Sequence, residues 1–597
     1  MNAPVNITAL PQWSLTDLYA GREDPQIEID IAAARQANQD LAALEGQFLA
    51  ARAAPQTLGG LIDRGISLYE QATDGLWIVG AYASLASSTA RGDAQWSKFE
   101  ADFRTRSAEI AAASLFFTLE LNQLEDAEIE AALAAHAPAA RWRPWLRRVR
   151  LSRPHELSHD LESLLLDRSP ATANWSRLFD ETLAGLRAKV GRGSLTLPET
   201  LNRLSDPDDR ARKTAANALA GALADRTPTL ALCLNTIAFE KQVEDRWRRY
   251  GYPAQSRHLA NEVDGAAVEA MVEAVTDSFA AASHRYYRLK AKVLGKKSLD
   301  HWDRNAPLTA LKPRQYSWDE ARGLVLDSFS ALAPRFADTA RTFFDSPWID
   351  AQPRAGKQSG AYSHPVSSRR HPYVFMNFMG ERRDVLTLAH ELGHAVHQTL
   401  AAPLGTLLSD TPLTLAETAS IFGEGLVFER LLAEATPEDR LGLLAGRIED
   451  GLNTVVRQIA FHQFETRFHE ARKQGELSPD QIGALWLQVM GDSLGPSVKL
   501  NPGYEHYWAY VSHFAHAPFY VYAYAFGDLL VRALMEKRRE DPAGFAPVYE
   551  RLLAAGGTRT YVEALEPFGL DPRQKAFWAA GCAGLVRLVD EFEALVG

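Results

Sequence analysis

Hydrophobic and polar positions follow a helical period through the first half of the chain. Residues 27–345 are dominated by Ala, Leu, Glu and Arg, as in IDIAAARQANQDLAALEGQFLAAR, with apolar positions recurring on one helix face. Clusters of turn-forming residues interrupt the pattern at 57–60, 168–175, 192–209 and 312–319. Taking 192–209 as the best boundary, we predict a mainly α-helical protein with an N-terminal helical region, 1–195, and a helical middle region, 196–345.

The pattern changes at about residue 346, which opens a third predicted region, 346–597. The segment SPWIDAQPRAGKQSGAYSHPVSSRRHPYVFMNFMG is poor in helix formers and rich in Pro, Gly, Ser and aromatic residues, which favours short strands and turns. Its clearest strand is YVFMNF, residues 373–378. Such a strand can either pair with an extended peptide beside the next helix or cover the hydrophobic core. The sequence leaves both open.

Helical periodicity returns in RRDVLTLAHELGHAVHQTL. Asp384 is the expected N-cap, and Pro403 and Gly405 are the expected stop signals. The apolar positions of the segment are Val385, Leu386, Leu388, Ala389, Leu392, Ala395, Val396 and Leu400. They predict that this helix is buried.

This helix carries the sharpest chemical motif of the chain, H-E-x-x-H. His390 and His394 are four residues apart, so both imidazoles project from one face and can bind one zinc ion, with Glu391 beside the metal-bound water. A motif of five positions also arises by chance. Ionisable side chains in an apolar helix are costly unless they have partners, however, and this favours a metal site. The motif predicts a zinc metallopeptidase with one Zn²⁺ per chain.

Catalytic zinc needs a third protein ligand from elsewhere in the chain. The spacing H-E-x-x-H-x-x-G-x-x-H is excluded, since the corresponding positions hold His397 and Leu400. His397 cannot replace that ligand, because it lies roughly 10 Å along the helix from His390. We therefore assign His397 to the wall of the site or to a group that contacts a ligand.

The next helical segment, PLTLAETASIFGEGLVFERLL, offers Glu417, Glu424 and Glu429. Glu417 and Glu424 are seven residues apart on one amphipathic helix, so one carboxylate can bind zinc while the other holds the ring N–H of a ligating histidine. An exposed acidic stripe is the alternative. The apolar neighbours favour burial, and we predict Glu417 as the third ligand and Glu424 as the carboxylate that holds a ligating histidine.

A dense group of hydrogen-bond donors follows in HYWAYVSHFAHAPFYVYAYAFG. His506, His513 and His516 stand among Tyr507, Tyr510, Tyr520, Tyr522 and Tyr524. Such donors can stabilise the oxyanion formed during peptide hydrolysis. The alternative is an aromatic core element.

The composition limits which partners the protein can have and indicates its cellular compartment. The 597 residues carry 64 Lys and Arg against 75 Asp and Glu, a net charge of -11 with no sustained basic block, so nucleic acid is not an expected partner. The N-terminus has no signal-peptide pattern, and no apolar run is long enough to span a membrane. Only Cys233 and Cys582 are present, unpaired in any motif. We expect a soluble, cytoplasmic protein that does not associate with membranes.

Several of these segments occur together, and in this order, in a known family. PQWSLTDLY, GAYSHP, RRDVLTLAHELGHAVH, LAETASIFGE and SHFAHAPFYVYAYAFG spread over most of the chain. With them the chain resembles the oligoendopeptidase F family of M3 zinc metallopeptidases, relatives of thimet oligopeptidase. GAYSHP departs from the cysteine-containing form of some relatives.

The resemblance implies a two-lobed helical bowl around a deep channel, with a zincin-like active-site helix and a small β-sheet beside it. The middle region would form part of the channel wall, and the substrates would be unstructured oligopeptides cut at internal bonds. By the resemblance, His390, His394 and Glu417 are zinc ligands and Glu391 is the general base. Glu424 would accept a hydrogen bond from the ring of a ligating histidine.

The resemblance also assigns residues that contact the substrate. It makes His513 and one or more of Tyr520 and Tyr522 the transition-state donors. The expected substrate-binding residues are Gly360, Ala361, Tyr362 and Asn377.

Two other functions stay open at this point. One is a carboxypeptidase or dipeptidyl carboxypeptidase built on the same zinc helix. The other, of a different class, is a peptide-binding protein whose zinc is structural. A structural site needs four protein ligands, and the sequence shows no fourth candidate at a sensible spacing.

Overall fold

A computed structural model of the chain describes residues 9–308 and 314–597. Residues 1–8 of the predicted N-terminal region and 309–313 of the predicted middle region lie outside it. The described chain is mainly helical, as predicted. In chain order, the α-helices are α1 Pro25–Ala42, α2 Gln47–Ala50, α3 Pro55–Thr89, α4 Ala94–Ala112, α5 Leu115–Gln123, α6 Asp126–Ala135, α7 Arg143–Val149, α8 His159–Ala184, α9 Leu197–Asn202, α10 Asp209–Ala224, α11 Thr227–Trp247, α12 Gln255–Ala260, α13 Gly265–Ser278, α14 Arg285–Val293, α15 Trp318–Ser330, α16 Pro334–Asp345, α17 Arg382–Ala401, α18 Thr406–Ser409, α19 Leu413–Ala416, α20 Thr418–Glu434, α21 Pro437–Gly451, α22 Arg457–Arg472, α23 Pro479–Leu494, α24 His513–His516, α25 Tyr522–Glu540, α26 Pro542–Ala554, α27 Tyr561–Leu565 and α28 Lys575–Val596.

The strands are short and form three small sheets. They are β1 Ala188–Val190, β2 Gly193–Leu195, β3 Leu299–Asp300, β4 Ile349–Asp350, β5 Tyr362–His364, β6 Tyr373–Phe375 and β7 Val498–Lys499. Strands β1 and β2 form an antiparallel hairpin, and β3 pairs with β7 in parallel. The third sheet has the order β4-β6-β5, with β6 parallel to β4 and antiparallel to β5. Only this third sheet contains the predicted strand.

Two of the predicted turn clusters are wrong. Residues 57–60 lie inside α3, and residues 168–175 lie inside α8, which contains Pro170. Leu58 and Gly59 of the first segment are buried, so tertiary packing supports its helix although the local composition favours a turn. The cluster at 192–209 is broken as predicted, with β2, α9 and a short 3₁₀ turn. Of the cluster at 312–319, residues 312 and 313 fall outside the described residues.

The chain divides into two compact units, each assembled from three segments. Unit 1 comprises Met1–Arg153, Pro313–Ala433 and Arg538–Gly569, and unit 2 comprises Pro154–Lys312, Glu434–Lys537 and Leu570–Gly597. This grouping differs from the three contiguous regions predicted from the sequence, because contacts between distant segments define it. The predicted bowl and channel stay a prediction.

In unit 1, the third sheet lies on a helical core. Its strand β6 is fully buried, and Tyr373 packs in a cluster with Ile31 of α1 and with Val79 and Tyr82 of α3. Helix α3 in turn packs against α1 and α6. The sheet is therefore a fixed support for the helix that follows it in the chain.

In unit 2, long helices pack in pairs. Helix α13 contacts α28, α22 contacts α23, and α21 contacts α28. Trp486 and Trp578 are buried in these layers. Within the described residues of both units, no helix is both long enough and apolar enough to cross a membrane.

Candidate metal centre

The motif helix α17 begins with a capping box. Its N-cap is Glu381, and Asp384 occupies the third helical position, where its Oδ2 accepts the backbone N–H groups of Glu381 at 3.0 Å and Met379 at 2.7 Å. The prediction of Asp384 as the N-cap is therefore wrong by one turn, because either carboxylate can satisfy the free N–H groups of a first turn. The helix ends at Ala401, and Pro403 and Gly405 follow as predicted.

The apolar stripe of α17 is buried as predicted. Val385, Leu388, Ala389, Leu392 and Ala395 have no exposed surface. The helix packs against α16, α26 and the strands β5 and β6, all of unit 1. This packing leaves the motif side chains on a face that the core does not fill.

Gly393, inside the motif, marks a close approach of α17 to the segment that carries Glu417. A Cβ at this position would lie 2.5 Å from the carbonyl oxygen of Ala419 and 2.6 Å from the Cα of Ser420. Both are backbone atoms, so the clash cannot be relieved by rotating a side chain.

We expect Gly393→Ala to destabilise unit 1 by about 1–3 kcal/mol and to weaken metal binding, because the backbone at Ser420 must move. Urea unfolding and zinc dissociation would measure the two effects. Gly446→Ala is the matched control, since a Cβ at that position of α21 meets nothing within 4 Å. If Gly393→Ala changed stability and zinc affinity as little as Gly446→Ala, this result would contradict the close approach of α17 to the backbone at Ser420.

Glu417 lies at a junction between two helices. It is the C-cap of α19, with φ -79° and ψ -1°, and α20 begins at Thr418. The predicted single helix is thus interrupted at this residue. Because the junction stays close to helical geometry, Glu417 and Glu424 still approach the same histidine.

Three ligand atoms converge between α17 and this junction. The Nε2 atoms of His390 and His394 each lie 3.4 Å from Oε2 of Glu417. Around one zinc ion with bonds of about 2.1 Å, tetrahedral ligand atoms are separated by about 3.4 Å. Among the described residues, these three form the group of His, Cys, Asp and Glu side chains that could hold a metal ion. The donor set, two imidazoles and a carboxylate, fits zinc.

Two further side chains contact the residues of this group. Nδ1 of His390 lies 3.4 Å from Oε2 of Glu424, so this carboxylate can fix the ring tautomer. The Ser420 hydroxyl donates to Oε2 of Glu417 at 2.7 Å. Burial alone would raise the pKa of Glu417, but His394, His390 and Ser420 outweigh it and lower that pKa to about 2. Glu417 is therefore an anion between two imidazoles.

Glu391 is buried beside the group and contacts the sheet. Burial raises the pKa of its carboxyl, while the two histidines and a hydrogen bond from the backbone N–H of Ser363 oppose this rise. The side chain of Ser363 donates to Oε1 of Gln398 at 2.8 Å, which fixes β5 against α17. The outer edge of β5 therefore faces Glu391.

The strand predicted at 373–378 is shorter than expected and is not an edge strand. Its observed part, β6, ends at Phe375 and is bonded to β4 on one side and β5 on the other. Pairing of β6 with a peptide is therefore excluded, and its role is to cover the core. Among the described strands of this sheet, β5 has the unpaired edge next to α17.

The four predicted substrate-binding residues lie together around β5. The side-chain amide of Asn377 donates to the carbonyl oxygens of Gln358 at 2.9 Å and Gly360 at 3.3 Å. The hydroxyl of Tyr362 donates to Ser88 at 2.8 Å, and its ring stacks on Phe375. Asn377 and Tyr362 thus hold the segment that contains Gly360 and Ala361.

His397 is not part of the metal group, as the sequence analysis expected. It is buried, its Nε2 lies 3.4 Å from the hydroxyl of Thr411, and it bonds the backbone of Ala416, next to Glu417. Burial lowers its pKa to about 4, so it stays neutral. A cavity of about 220 Å³ opens between His394, His397 and Arg370.

The predicted donors His513, Tyr520 and Tyr522 all lie in unit 2, but they differ in accessibility. His513 and Tyr520 are partly exposed, with stacked rings. Tyr522 has no exposed surface, and its hydroxyl accepts a hydrogen bond from the side-chain amide of Asn261 at 2.9 Å. The structure therefore does not support Tyr522 as a group that reaches a substrate.

Tyr524 is more accessible than Tyr522 and lies beside His513. It is 40% exposed, and its hydroxyl lies 3.1 Å from Nε2 of His513. Because α25 begins at Tyr522, residues 522 and 524 project from nearly opposite sides of that helix. Burial and the charge of Arg457 lower the pKa of His513, which favours the neutral, N–H-donating imidazole.

Comparison with known sequences identifies the family. The sequence model described as Peptidase family M3 matches residues 203–584, more than half of the chain, and the one described as Oligopeptidase F matches residues 120–187. Oligopeptidase PepF of Bacillus subtilis is 24% identical over 90% of this chain and 82% of its own length. Group B oligopeptidase PepB of Streptococcus agalactiae is 24% identical over 98% of this chain and 97% of its own length.

Solved structures show the same fold. A crystal structure from Chlamydophila abortus matches with a TM-score of 0.86 at 21% identity, covering 99% of this chain and 100% of that one. Oligoendopeptidase-F from Enterococcus faecium matches with a TM-score of 0.69 at 20% identity, covering 96% of this chain and 99% of that one. The predicted resemblance and the helical fold class are confirmed. The chain belongs to peptidase family M3 and is a metallopeptidase.

Proposed function

We propose that this protein is a zinc-dependent endopeptidase that hydrolyses internal bonds of unstructured oligopeptides. The observation that carries the proposal is the convergence of His390, His394 and Glu417 next to the buried Glu391. Three protein ligands leave one position for water or substrate, which is typical of catalytic rather than structural zinc. The names of the two oligopeptidases above support the substrate class.

The geometry of the group supports a role for each of its residues. His390, His394 and Glu417 would hold one Zn²⁺ per chain, and Glu424 would accept the Nδ1–H of His390. Zinc bound there would polarise the scissile carbonyl and lower the pKa of a water toward about 7. We expect this chemistry in the cytoplasm, where the buried free thiols of Cys233 and Cys582 stay reduced.

Glu391 is the proposed general base. Its carboxylate would take a proton from the attacking water and deliver it to the nitrogen of the leaving amine. Burial raises the pKa of this carboxyl, so it is a better proton acceptor than an exposed glutamate. The backbone N–H of Ser363 orients it.

Substrate binding is assigned to backbone groups next to β5 and to donors in unit 2. The backbone of Gly360 and Ala361, which precedes β5, can contact an extended peptide, while Tyr362 and Asn377 hold this segment in place. We assign stabilisation of the oxyanion to His513 and Tyr520, which the resemblance supports, and to Tyr524, which its exposure and its contact with His513 support.

Cleavage of peptides blocked at both ends tests this proposal. We expect internal cuts by mass spectrometry, one zinc per chain by metal analysis, loss of cleavage with a chelator and recovery with added zinc. A length series that ends with a folded protein tests the size restriction. Stepwise loss from free C-termini, without cleavage of blocked peptides, would establish the carboxypeptidase alternative. Tightly bound zinc without any hydrolysis would establish a peptide-binding protein with structural zinc.

A further inference from the structure

The turn that carries Tyr520 contains a strained residue. It joins α24, which begins at His513, to α25, which begins at Tyr522. Phe519 in this turn has φ +61°, in the left-handed region that bulky residues rarely adopt. Such a conformation costs about 1–3 kcal/mol and persists only when its surroundings enforce it.

The side chain of Phe519 is held by the interior of unit 2. The residue has no exposed surface. Its ring centroid lies 4.7 Å from that of His469 and 5.9 Å from that of His462, both on α22. These contacts fix the ring of Phe519 but do not satisfy its backbone N–H, which needs a separate hydrogen-bond acceptor.

Glu465, also on α22, is that acceptor. Its Oε1 accepts the backbone N–H of Phe519 at 2.8 Å. The residue is 1% exposed, and its Oε2 is buried without a hydrogen-bond partner among the described residues. A buried carboxyl that bonds a single amide is expensive compared with an apolar side chain of the same size. Packing alone therefore does not account for Glu465.

A second contact holds the turn from another side. Nε of Arg257, on α12, donates to the carbonyl oxygen of Pro518 at 3.3 Å, and the guanidinium lies 5.5 Å from the ring centroid of Tyr520. With Tyr522 anchored on Asn261, the turn is fixed before and after Tyr520. Its outward side then presents Tyr520 beside His513.

We propose that Glu465 is a positioning residue: its carboxyl holds the N–H of Phe519 and so fixes the turn that presents His513, Tyr520 and Tyr524. The assignment rests on the proposed function, because it takes these three groups as substrate donors. Glu465 itself is too deeply buried to touch a substrate.

The surroundings of Glu465 keep its carboxyl mostly uncharged at neutral pH. Burial raises its pKa to about 8, while the Phe519 N–H and the charges of Arg257 and Lys241 act in the opposite direction. The facing histidines offer no positive charge. Burial lowers the pKa of His462 and His469 to about 3 and that of His258 to about 4.

Two substitutions separate the hydrogen bond from the charge. Glu465→Met removes the acceptor, so we expect amide hydrogen exchange across residues 513–521 to rise by about tenfold or more. We expect kcat to fall by about 100-fold with a smaller change in KM and unchanged zinc content, because misplaced donors act on the transition state. Glu465→Gln keeps a carbonyl acceptor and should restore both exchange and kcat.

Glu470 on the same helix supplies the matched control. It pairs with Lys473 at 2.7 Å on the exposed side, so Glu470→Met and Glu470→Gln should change neither exchange nor kcat. Unchanged exchange in Glu465→Met would overturn the proposal, whatever the peptidase result. Raised exchange with normal kcat would overturn the positioning role. Absence of peptide hydrolysis in the unmodified protein would instead refute the proposed function, and exchange would still decide whether Glu465 holds the turn.

Stability as a function of pH provides an independent readout. With a pKa of about 8 when folded and 4.5 as the ordinary value, Glu465 binds more protons in the folded chain than in the unfolded chain between these pH values. The stability contributed by the neutral form is complete below about pH 4.5 and is lost as pH rises toward 8. The difference in Tm between Glu465→Gln and the unmodified protein should therefore grow from about pH 5 to about pH 8 and then level off. A constant difference would show that the carboxyl is solvated in the folded chain, and would overturn its placement in the interior beside Phe519.

Discussion

Replacing Glu391 with glutamine is expected to remove most peptidase activity while leaving the metal in place. The amide has the shape of the carboxylate and can still accept the N–H of Ser363, but it cannot take a proton from water. General-base catalysis contributes about 10²–10⁴-fold, so kcat/KM on a blocked peptide should fall by that factor. Zinc content should stay at one per chain. Folding should not suffer, because the amide avoids the cost of burying a charge.

Glu429→Gln is the matched control for this substitution. Glu429 lies on α20 with Glu424, but its carboxylate pairs with Arg538 at 3.2 Å and with Arg539. Its neutralisation should leave both zinc and activity close to normal. Substantial hydrolysis by Glu391→Gln would show that another group accepts the proton. Loss of zinc in the same variant would show that Glu391 is a ligand.

The arrangement of the metal group could largely be read from local spacing. The separation of four positions between His390 and His394 places both side chains on one face of any helix, and this geometry needs no information about the rest of the fold. The same reasoning predicts that Glu417 and Glu424 share a face, since seven residues span two helical turns. The interruption of the helix at Glu417 could not be predicted, because nothing in the sequence LAETAS marks a helix junction.

The sheet could not be derived in the same way. Strand β6 was visible as a hydrophobic run, but its position between β4 and β5 depends on pairing with segments centred near Asp350 and Ser363. Two- and three-residue strands carry almost no periodic signal. The choice between a peptide-binding edge and a core strand was therefore open until the pairing was known.

The tyrosines show a different limit. A spacing of two residues between Tyr520, Tyr522 and Tyr524 suggests equivalent roles, yet the turn at Phe519 and the start of α25 send Tyr522 inward. The φ value of Phe519 is a product of tertiary packing, since a phenylalanine gives no local reason to expect it. The burial of Glu465 could not be predicted for the same reason, because a glutamate in FHQFETRFHE is typical of an exposed helix face.

Glu417→Ala is expected to abolish both metal binding and activity, because Glu417 is the one carboxylate on which both Nε2 atoms converge. Without it, two imidazoles four residues apart remain, and catalytic zinc requires a third protein ligand. After dialysis against a chelator, metal analysis should show far less than one zinc per chain. Hydrolysis of a blocked peptide should fall to background and should not recover at moderate zinc concentrations.

Glu424→Gln separates the ligand role from the orienting role. Loss of an outer partner typically costs about 10–100-fold in metal affinity or activity, so this variant should bind zinc more weakly and recover when zinc is added. The expected order of zinc affinity is therefore Glu429→Gln, then Glu424→Gln, then Glu417→Ala, from strongest to weakest. If Glu417→Ala kept one tightly bound zinc and Glu424→Gln lost it, the two carboxylates would have to exchange roles. The 3.4 Å contact between Glu424 and Nδ1 of His390 argues against that exchange, because Glu417 contacts the other ring nitrogen, Nε2, together with Nε2 of His394.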